Sequence, residues 1–180
     1  MNITRDSEAM TGGLWPFSLT FYERPGIAAA LIALQDGAGL DVNLILFAIW
    51  HGLSGRGRLD ERAADAADRA VCPIRVDVIE PLRALRRRLR TAADADIQLL
   101  RDRVKALEID AERATQERLA ALAGPAFNAD CAEYLADAEA NLARYVGPAT
   151  AQGDGAKVIR GELKRFAGQA LSHLPARPSA

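Results

Sequence analysis

The stretch LDVNLILFAIWHGL, residues 40–53, carries an asparagine and a histidine within an otherwise aliphatic and aromatic run. Imidazole changes its charge near neutral pH, and an amide can orient a ligand through both a donor and an acceptor. Gln35 and Asp36 precede this run across a short loop that contains glycine. Together these residue types are those of a small polar binding site or an acid–base site.

Antiparallel packing of two helices across the GAGL turn would bring most of these groups together. In this hypothesis the side-chain amides orient a ligand, a carboxylate acts as acid or base, and aromatic rings form the walls of the pocket. The residues of this candidate site are Tyr22, Gln35, Asp36, Asp41, Asn43, Trp50 and His51. We favour the alternative, in which the amides satisfy each other and the helix ends, because an amide buried without a partner costs about 1–3 kcal/mol. In that interpretation Asp41 caps a helix and His51 lies near the negative end of its dipole.

Other catalytic chemistries lack their sequence signatures. The segment SGRGR could hold an anion at a helix start, but no strand precedes it and the Walker lysine is missing. The chain has no nucleophile elbow and no metal-ligand spacing. The sequence therefore predicts neither a metal nor a cofactor and favours a non-enzymatic protein.

A run of arginines forms the second candidate site, for an anion or an acidic partner: Arg83, Arg86, Arg87, Arg88 and Arg90. The chain has 23 basic and 24 acidic residues, a formal net charge of -1, so it lacks the basic excess typical of nucleic-acid-binding proteins. Acidic residues nearby in the sequence could neutralise the run. Charge thus argues against nucleic acid as the partner.

The elements that must position these residues are helices. The composition is 49% hydrophobic and rich in alanine, without sustained β-branched alternation, which predicts an all-α fold. Pro16 and Pro25 are each predicted to lie at the first position of a helix. The predicted segments are 16–23, 25–36, 41–53 and 59–71, the third apolar on nearly every side and therefore central, the fourth ended by Pro73.

A long charged amphipathic segment follows, and its apolar residues recur at alternating spacings of three and four: Ile97, Leu100, Val104, Leu107, Ala111 and Ala114. The TAADAD segment before it is either a stutter in one long helix or a break in a helical hairpin, capped by Asp94 or Asp96. If the protein's own helices do not cover the stripe, a homo-oligomer or a protein partner must do so through the helix at 97–122.

The predicted organisation is a single-domain bundle with a helical arm. Residues 1–12 are predicted as a disordered tail, 13–123 as the helical core with its arm, 124–174 as C-terminal helices packing on it, and 175–180 as a second tail. The two cysteines lack close pairing, the N-terminus lacks an apolar leader segment, and no apolar run reaches about 20 residues. These features predict a cytoplasmic protein without a membrane partner.

Several motifs carry a resemblance: Trp15, Phe17, Tyr22, Pro25-Gly26, LIALQD, Gly39, DVNLILF and Trp50. Over residues 13–120, and most strongly to Leu53, the chain resembles a proteobacterial domain-of-unknown-function family. This implies a bacterial helical protein and carries over no activity, substrate or site residue.

Overall fold

The computed structural model describes residues 3–126 and 131–171, in which every regular element is helical. The all-α prediction is confirmed. The α-helices are α1 Ile3–Thr11, α2 Leu14–Tyr22, α3 Ile27–Ala38, α4 Val42–His51, α5 Glu61–Ile74, α6 Glu80–Arg88, α7 Ala95–Leu122, α8 Cys131–Thr150 and α9 Asp154–Leu171. Within the described residues, no helix combines the length and apolar character needed to cross a membrane.

The helices divide into two compact units, where the sequence predicted one bundle with an arm. Within the described residues, unit 1 combines 3–60 with 123–126 and 131–171, and unit 2 is the intervening segment 61–122. In unit 1, α4 packs against α8, and α9 packs against α1 and α3. Phe17 and Phe21 stack at 5.4 Å between ring centroids, and the edge of Phe166 closes this aromatic core.

Helix α4 is the central helix that its apolar sequence predicts, since every residue from Asn43 to His51 is buried. It begins after Asp41, whose carboxylate accepts a hydrogen bond from the Asn43 amide at 2.8 Å. The preceding helix ends at Gly39, which adopts a left-handed conformation with φ 66 and donates its N–H to the Gln35 carbonyl. Local capping therefore fixes the turn between α3 and α4.

The prediction of a disordered tail at 1–12 is wrong from Ile3 onward, because this segment forms α1. Asp6, Ala9 and Met10 are buried in unit 1. The Met10 carbonyl accepts a hydrogen bond from the Trp50 indole at 3.3 Å. Packing against residues distant in sequence therefore stabilises this helix, although the segment's own residues have only weak helix propensity. The second tail predicted at 175–180 lies outside the described residues.

Proline positions also differ from the prediction. Helix α2 begins at Leu14, two residues before Pro16, and α3 begins at Ile27 after Gly26 rather than at Pro25. Pro73 lies inside α5 and does not end it. A wider π-helical turn, Arg75–Ile79, follows this proline and joins α5 to α6. Proline lacks the backbone N–H of an ordinary helix residue, so the helix continues past Pro73 with one backbone hydrogen bond fewer.

Unit 2 is a helical hairpin, which decides between the two interpretations of TAADAD. A short 3-10 turn, Leu89–Thr91, ends the first arm, and α7 starts the second. Asp94 caps α7 by accepting from the amides of Asp96 and Ile97 at 2.8 and 3.1 Å. The α5 and α6 helices both pack against α7.

Two helices follow the hairpin. The described chain resumes at Cys131 in α8, which is interrupted at Gly147 with φ 70 and ψ 161. A short turn follows, in which the Ala151 amide donates to the Gly147 carbonyl at 2.9 Å. Helix α9 then packs against α1 and α3 within unit 1.

Candidate functional site

The seven residues of the predicted polar site do not form one cluster. Asp41 and Asn43 lie at the start of α4, whereas Trp50 and His51 lie at its end. A helix rises about 1.5 Å per residue, so these two groups are separated by roughly 13 Å along the axis. The hypothetical site is therefore divided between two regions of unit 1.

At the start of α4, the polar groups make local contacts. The Asp41 carboxylate is engaged as the helix cap, and Asn43 is buried beside it. The Gln35 amide donates to the neighbouring Asp36 carboxylate at 3.4 Å, and Asp36 is exposed. Tyr22 lies at the end of α2 with 36% of its surface exposed. In this part of the predicted set, Asp41 caps a helix, Gln35 and Asp36 contact each other, and Tyr22 is partly exposed to solvent.

At the end of α4, the Trp50 ring is already covered. Its indole N–H donates to Met10, and the Arg56 guanidinium lies 4.2 Å from the ring centroid. Arg56 also donates to the Ser54 hydroxyl at 2.6 Å and to the Gly124 carbonyl at 3.0 Å. A cation on an aromatic face with two further hydrogen bonds is a structural contact. The predicted stacking wall is occupied by the protein itself.

The His51 imidazole is buried and contacts a backbone carbonyl. Its Nδ1 lies 3.1 Å from the Gly57 carbonyl, and the Phe47 ring meets it edge-on at 5.5 Å. Burial lowers the pKa of His51, and the charge of Arg56 acts in the same direction, while the Gly57 hydrogen bond and Asp137 oppose it. A carbonyl can only accept, so Nδ1 carries a proton in this contact, and the lowered pKa favours the neutral ring near pH 7.

Asn141 holds the same loop from α8, and sequence reasoning missed it. Its amide donates to the Gly57 carbonyl at 3.0 Å, and its carbonyl oxygen accepts from the Leu59 amide at 2.7 Å. The neighbouring Arg58 donates to Asp137 at 2.9 Å. An asparagine on the apolar face of an alanine-rich helix was the available signal. The whole arrangement fixes the loop after α4, because these contacts use the groups that a ligand would need.

A buried ion network forms a second polar centre that the sequence did not indicate. Arg24, which is 8% exposed, donates to Asp6 and Glu162 at 3.2 Å each and to Gln169 at 2.8 Å. Its guanidinium also lies 5.7 Å from the Phe166 ring centroid. Burial acts to raise the pKa of Glu162, but hydrogen bonds from Arg165 and Arg24 outweigh it and the pKa is lowered. This network ties α1 and α9 to the loop between α2 and α3.

The arginine run is divided between the hairpin interior and the surface. Arg83 donates to Glu108 at 3.1 Å and to Glu112 at 2.9 Å, and Arg86 donates to Glu108 at 2.5 Å. The remaining members, Arg87, Arg88 and Arg90, are exposed. Two of the five predicted anion ligands therefore hold α6 to α7 instead.

The carboxylates that pair with Arg83 and Arg86 come from α7. Burial acts to raise the pKa of Glu108, but hydrogen bonds from Arg86 and Arg83 outweigh it, so the pKa is lowered and the carboxylate is ionised. Along the described ranges 3–126 and 131–171, no group of three or more histidine, cysteine or acidic side chains is arranged to hold a metal.

The third feature predicted from the sequence is the apolar stripe of α7. We call Ile97, Leu100, Val104, Leu107, Ala111 and Ala114 the seam. The residues that α7 buries are Glu108, Thr115, Gln116 and Leu119. At about 100° per residue, the mean direction of these four residues lies roughly 90° from the centre of the seam. Leu100 and Leu107 are consequently 52% and 54% exposed.

Comparison of the sequence with protein families shows the family to which the chain belongs. The model of the family described as Protein of unknown function (DUF2390) matches residues 13–119, more than half of the chain. The chain belongs to this family. No curated protein and no solved structure was found to match it.

The family match includes the seam, the arginine run and α4, and it ends before α8 and α9. It therefore confirms the resemblance to a domain-of-unknown-function family. Asn141 and Glu162, which complete the two polar centres of unit 1, lie beyond the matched residues.

Proposed function

We propose that this protein is a non-enzymatic interaction module that binds another protein chain through the seam of α7. The observation that carries the proposal is the exposure of the seam leucines, Leu100 and Leu107. Scattered exposed apolar residues are normal, but these two lie one above the other on the same helix face, beside half-buried Val104 and Ala111.

The composition of unit 2 supports the same conclusion. Its large apolar side chains that are buried are Val71, Ile79 and Leu119. Its large apolar side chains that are exposed are Val76, Val78, Leu99, Leu100, Leu107, Ile109 and Leu122. A segment of this size that pairs charges between its helices and leaves seven large apolar side chains exposed gains stability when a partner covers them.

The polar centres of unit 1 support association rather than catalysis. The hydrogen bonds of these centres are made within the unit: His51 and Asn141 contact backbone groups, and Arg24 donates to buried carboxylates. A cytoplasmic location is part of the proposal, and the free thiol of Cys72 is consistent with a reducing compartment. The seam is thus the surface best suited to a functional contact.

Site-specific photocrosslinking in living cells tests the proposal. A photoreactive amino acid at position 107 reports on the seam, and the same group at Ala106, exposed on the far side of α7, is the matched control. We expect a defined adduct from position 107 that is absent from position 106, with the captured chain identified by mass spectrometry. Equal labelling from both positions, or no adduct from either, would refute the interaction surface.

A further inference from the structure

The seam is graded in size along α7. Its first four residues, from Ile97 to Leu107, are large, whereas Ala111 and Ala114 at the other end are small. Two such seams that run antiparallel place the large half of each against the small half of the other. Leu100 then meets Ala111 of the second copy, and Val104 meets Leu107 of the second copy. A parallel pair would instead align bulky layers at one end and leave a thin contact at the other.

The charges beside the seam follow the same symmetry. Arg103 and Asp110 are both exposed and lie on the same flank, two helical turns apart. In an antiparallel pair like flanks face each other, so Arg103 opposes Asp110 of the second copy. By symmetry the contact occurs twice.

The opposite flank favours the antiparallel arrangement. It carries Arg101 and Glu108, and Glu108 is held inside the hairpin by Arg83 and Arg86. Parallel helices bring each flank against the opposite flank of the partner. In a parallel pair Arg103 would therefore face a Glu108 that the hairpin already holds, whereas in the antiparallel pair the two exposed flanks face each other.

The ends of the exposed flank carry Asp96 and Glu117, which oppose each other in this register. Glu117 is paired with Arg113 in its own helix at 2.9 Å, which reduces the repulsion between the two carboxylates. The register is therefore set by the central Arg103 and Asp110 contacts.

We infer that a second copy of this chain covers the seam, with the two α7 helices antiparallel and Arg103 of each copy paired with Asp110 of the other. The inference rests on the proposed function and names its partner. Apolar contacts supply the affinity in this arrangement, and the two charge pairs supply orientation.

Charge reversal in the purified full-length chain tests the inference by sedimentation equilibrium. Arg103→Asp and Asp110→Arg each place like charges together twice, so each alone should weaken dimerisation by about tenfold or more. The double variant restores both pairs and should return to the wild-type dissociation constant. An equimolar mixture of the two single variants should also dimerise, because the mixed pair has opposite charges at both contacts.

Single variants that dimerise as tightly as wild type, or a double variant that stays weak, would overturn the antiparallel register. Circular dichroism of each variant confirms that the exposed substitutions leave the helices folded. A wild-type chain that is strictly monomeric would overturn self-association. Photocrosslinking separates the two levels: a seam adduct with a different protein leaves the proposed function standing, and loss of any seam-specific adduct removes both.

Discussion

Replacing Gly52 with alanine is expected to destabilise unit 1, although helix propensity alone predicts the opposite. Gly52 has helical dihedral angles, φ -66 and ψ -51, so an alanine should gain up to about 1 kcal/mol there. A Cβ at this position, however, would lie 2.5 Å from the Ala138 Cα and 2.7 Å from the Asp137 carbonyl carbon. The obstructing atoms are backbone of α8, which cannot rotate away.

Relief of this contact requires α4 and α8 to separate by about 1 Å, since ordinary contacts of this kind begin near 3.4 Å. Overpacking of a filled interior typically costs about 1–3 kcal/mol, and a backbone clash belongs at the upper end. After the propensity gain is subtracted, we expect Gly52→Ala to lower the free energy of unfolding of unit 1 by about 2 kcal/mol.

Gly168→Ala is the matched control, because Gly168 lies in α9 and a Cβ there meets nothing within 4 Å. We expect this variant to raise the free energy of unfolding by about 0.5–1 kcal/mol. Both tryptophans, Trp15 and Trp50, belong to unit 1, so their fluorescence during urea denaturation reports on that unit. If Gly52→Ala matched or exceeded the wild-type midpoint while Gly168→Ala behaved as expected, the close crossing of α4 and α8 would be refuted.

Four further predictions concern buried ionisable groups. Arg24→Met should destabilise unit 1 by about 3 kcal/mol in urea denaturation, since it leaves the buried Asp6 without its guanidinium partner and Glu162 with Arg165 alone; a neutral effect would contradict the network. Glu108→Gln should cost about 2 kcal/mol in hairpin stability, less than a fully buried pair because its arginine partners are partly exposed; hydrogen exchange of α7 measures it, and unchanged protection would contradict the bridge. Glu108 and Glu162 have lowered pKa values, so their contribution is present above pH 4.5 and lost as the pH falls through the folded pKa values. His51, with its pKa below 6.5, favours the folded state above that pH and opposes it below, and NMR titration should give it a midpoint lower than 6.5.

The sequence by itself determined the helical class, the central place of α4 and several helix ends. Asp41 caps α4 and Gly39 terminates α3, whereas the structure was needed to show that the chain breaks before α7 and that Asp94 caps it. These features depend on hydrogen bonds and dihedral angles within a few residues, so the residue types contain the information. The periodicity of the seam was equally readable, because a stripe at alternating spacings of three and four depends only on helix geometry.

Only the tertiary structure decided which distant residues pair and which helix surfaces are buried or exposed. Arg24 and Glu162 are 138 residues apart, and no local pattern pairs them. Asn141 closes the loop after α4 from a helix that follows unit 2, and α1 becomes ordered because Asp6 and Met10 find partners elsewhere in unit 1. Helix amphipathicity could not show that α7 turns its acidic face, rather than its apolar seam, toward α6. That choice depends on the arginines that α6 presents across the hairpin, and it leaves Leu100 and Leu107 of the seam exposed.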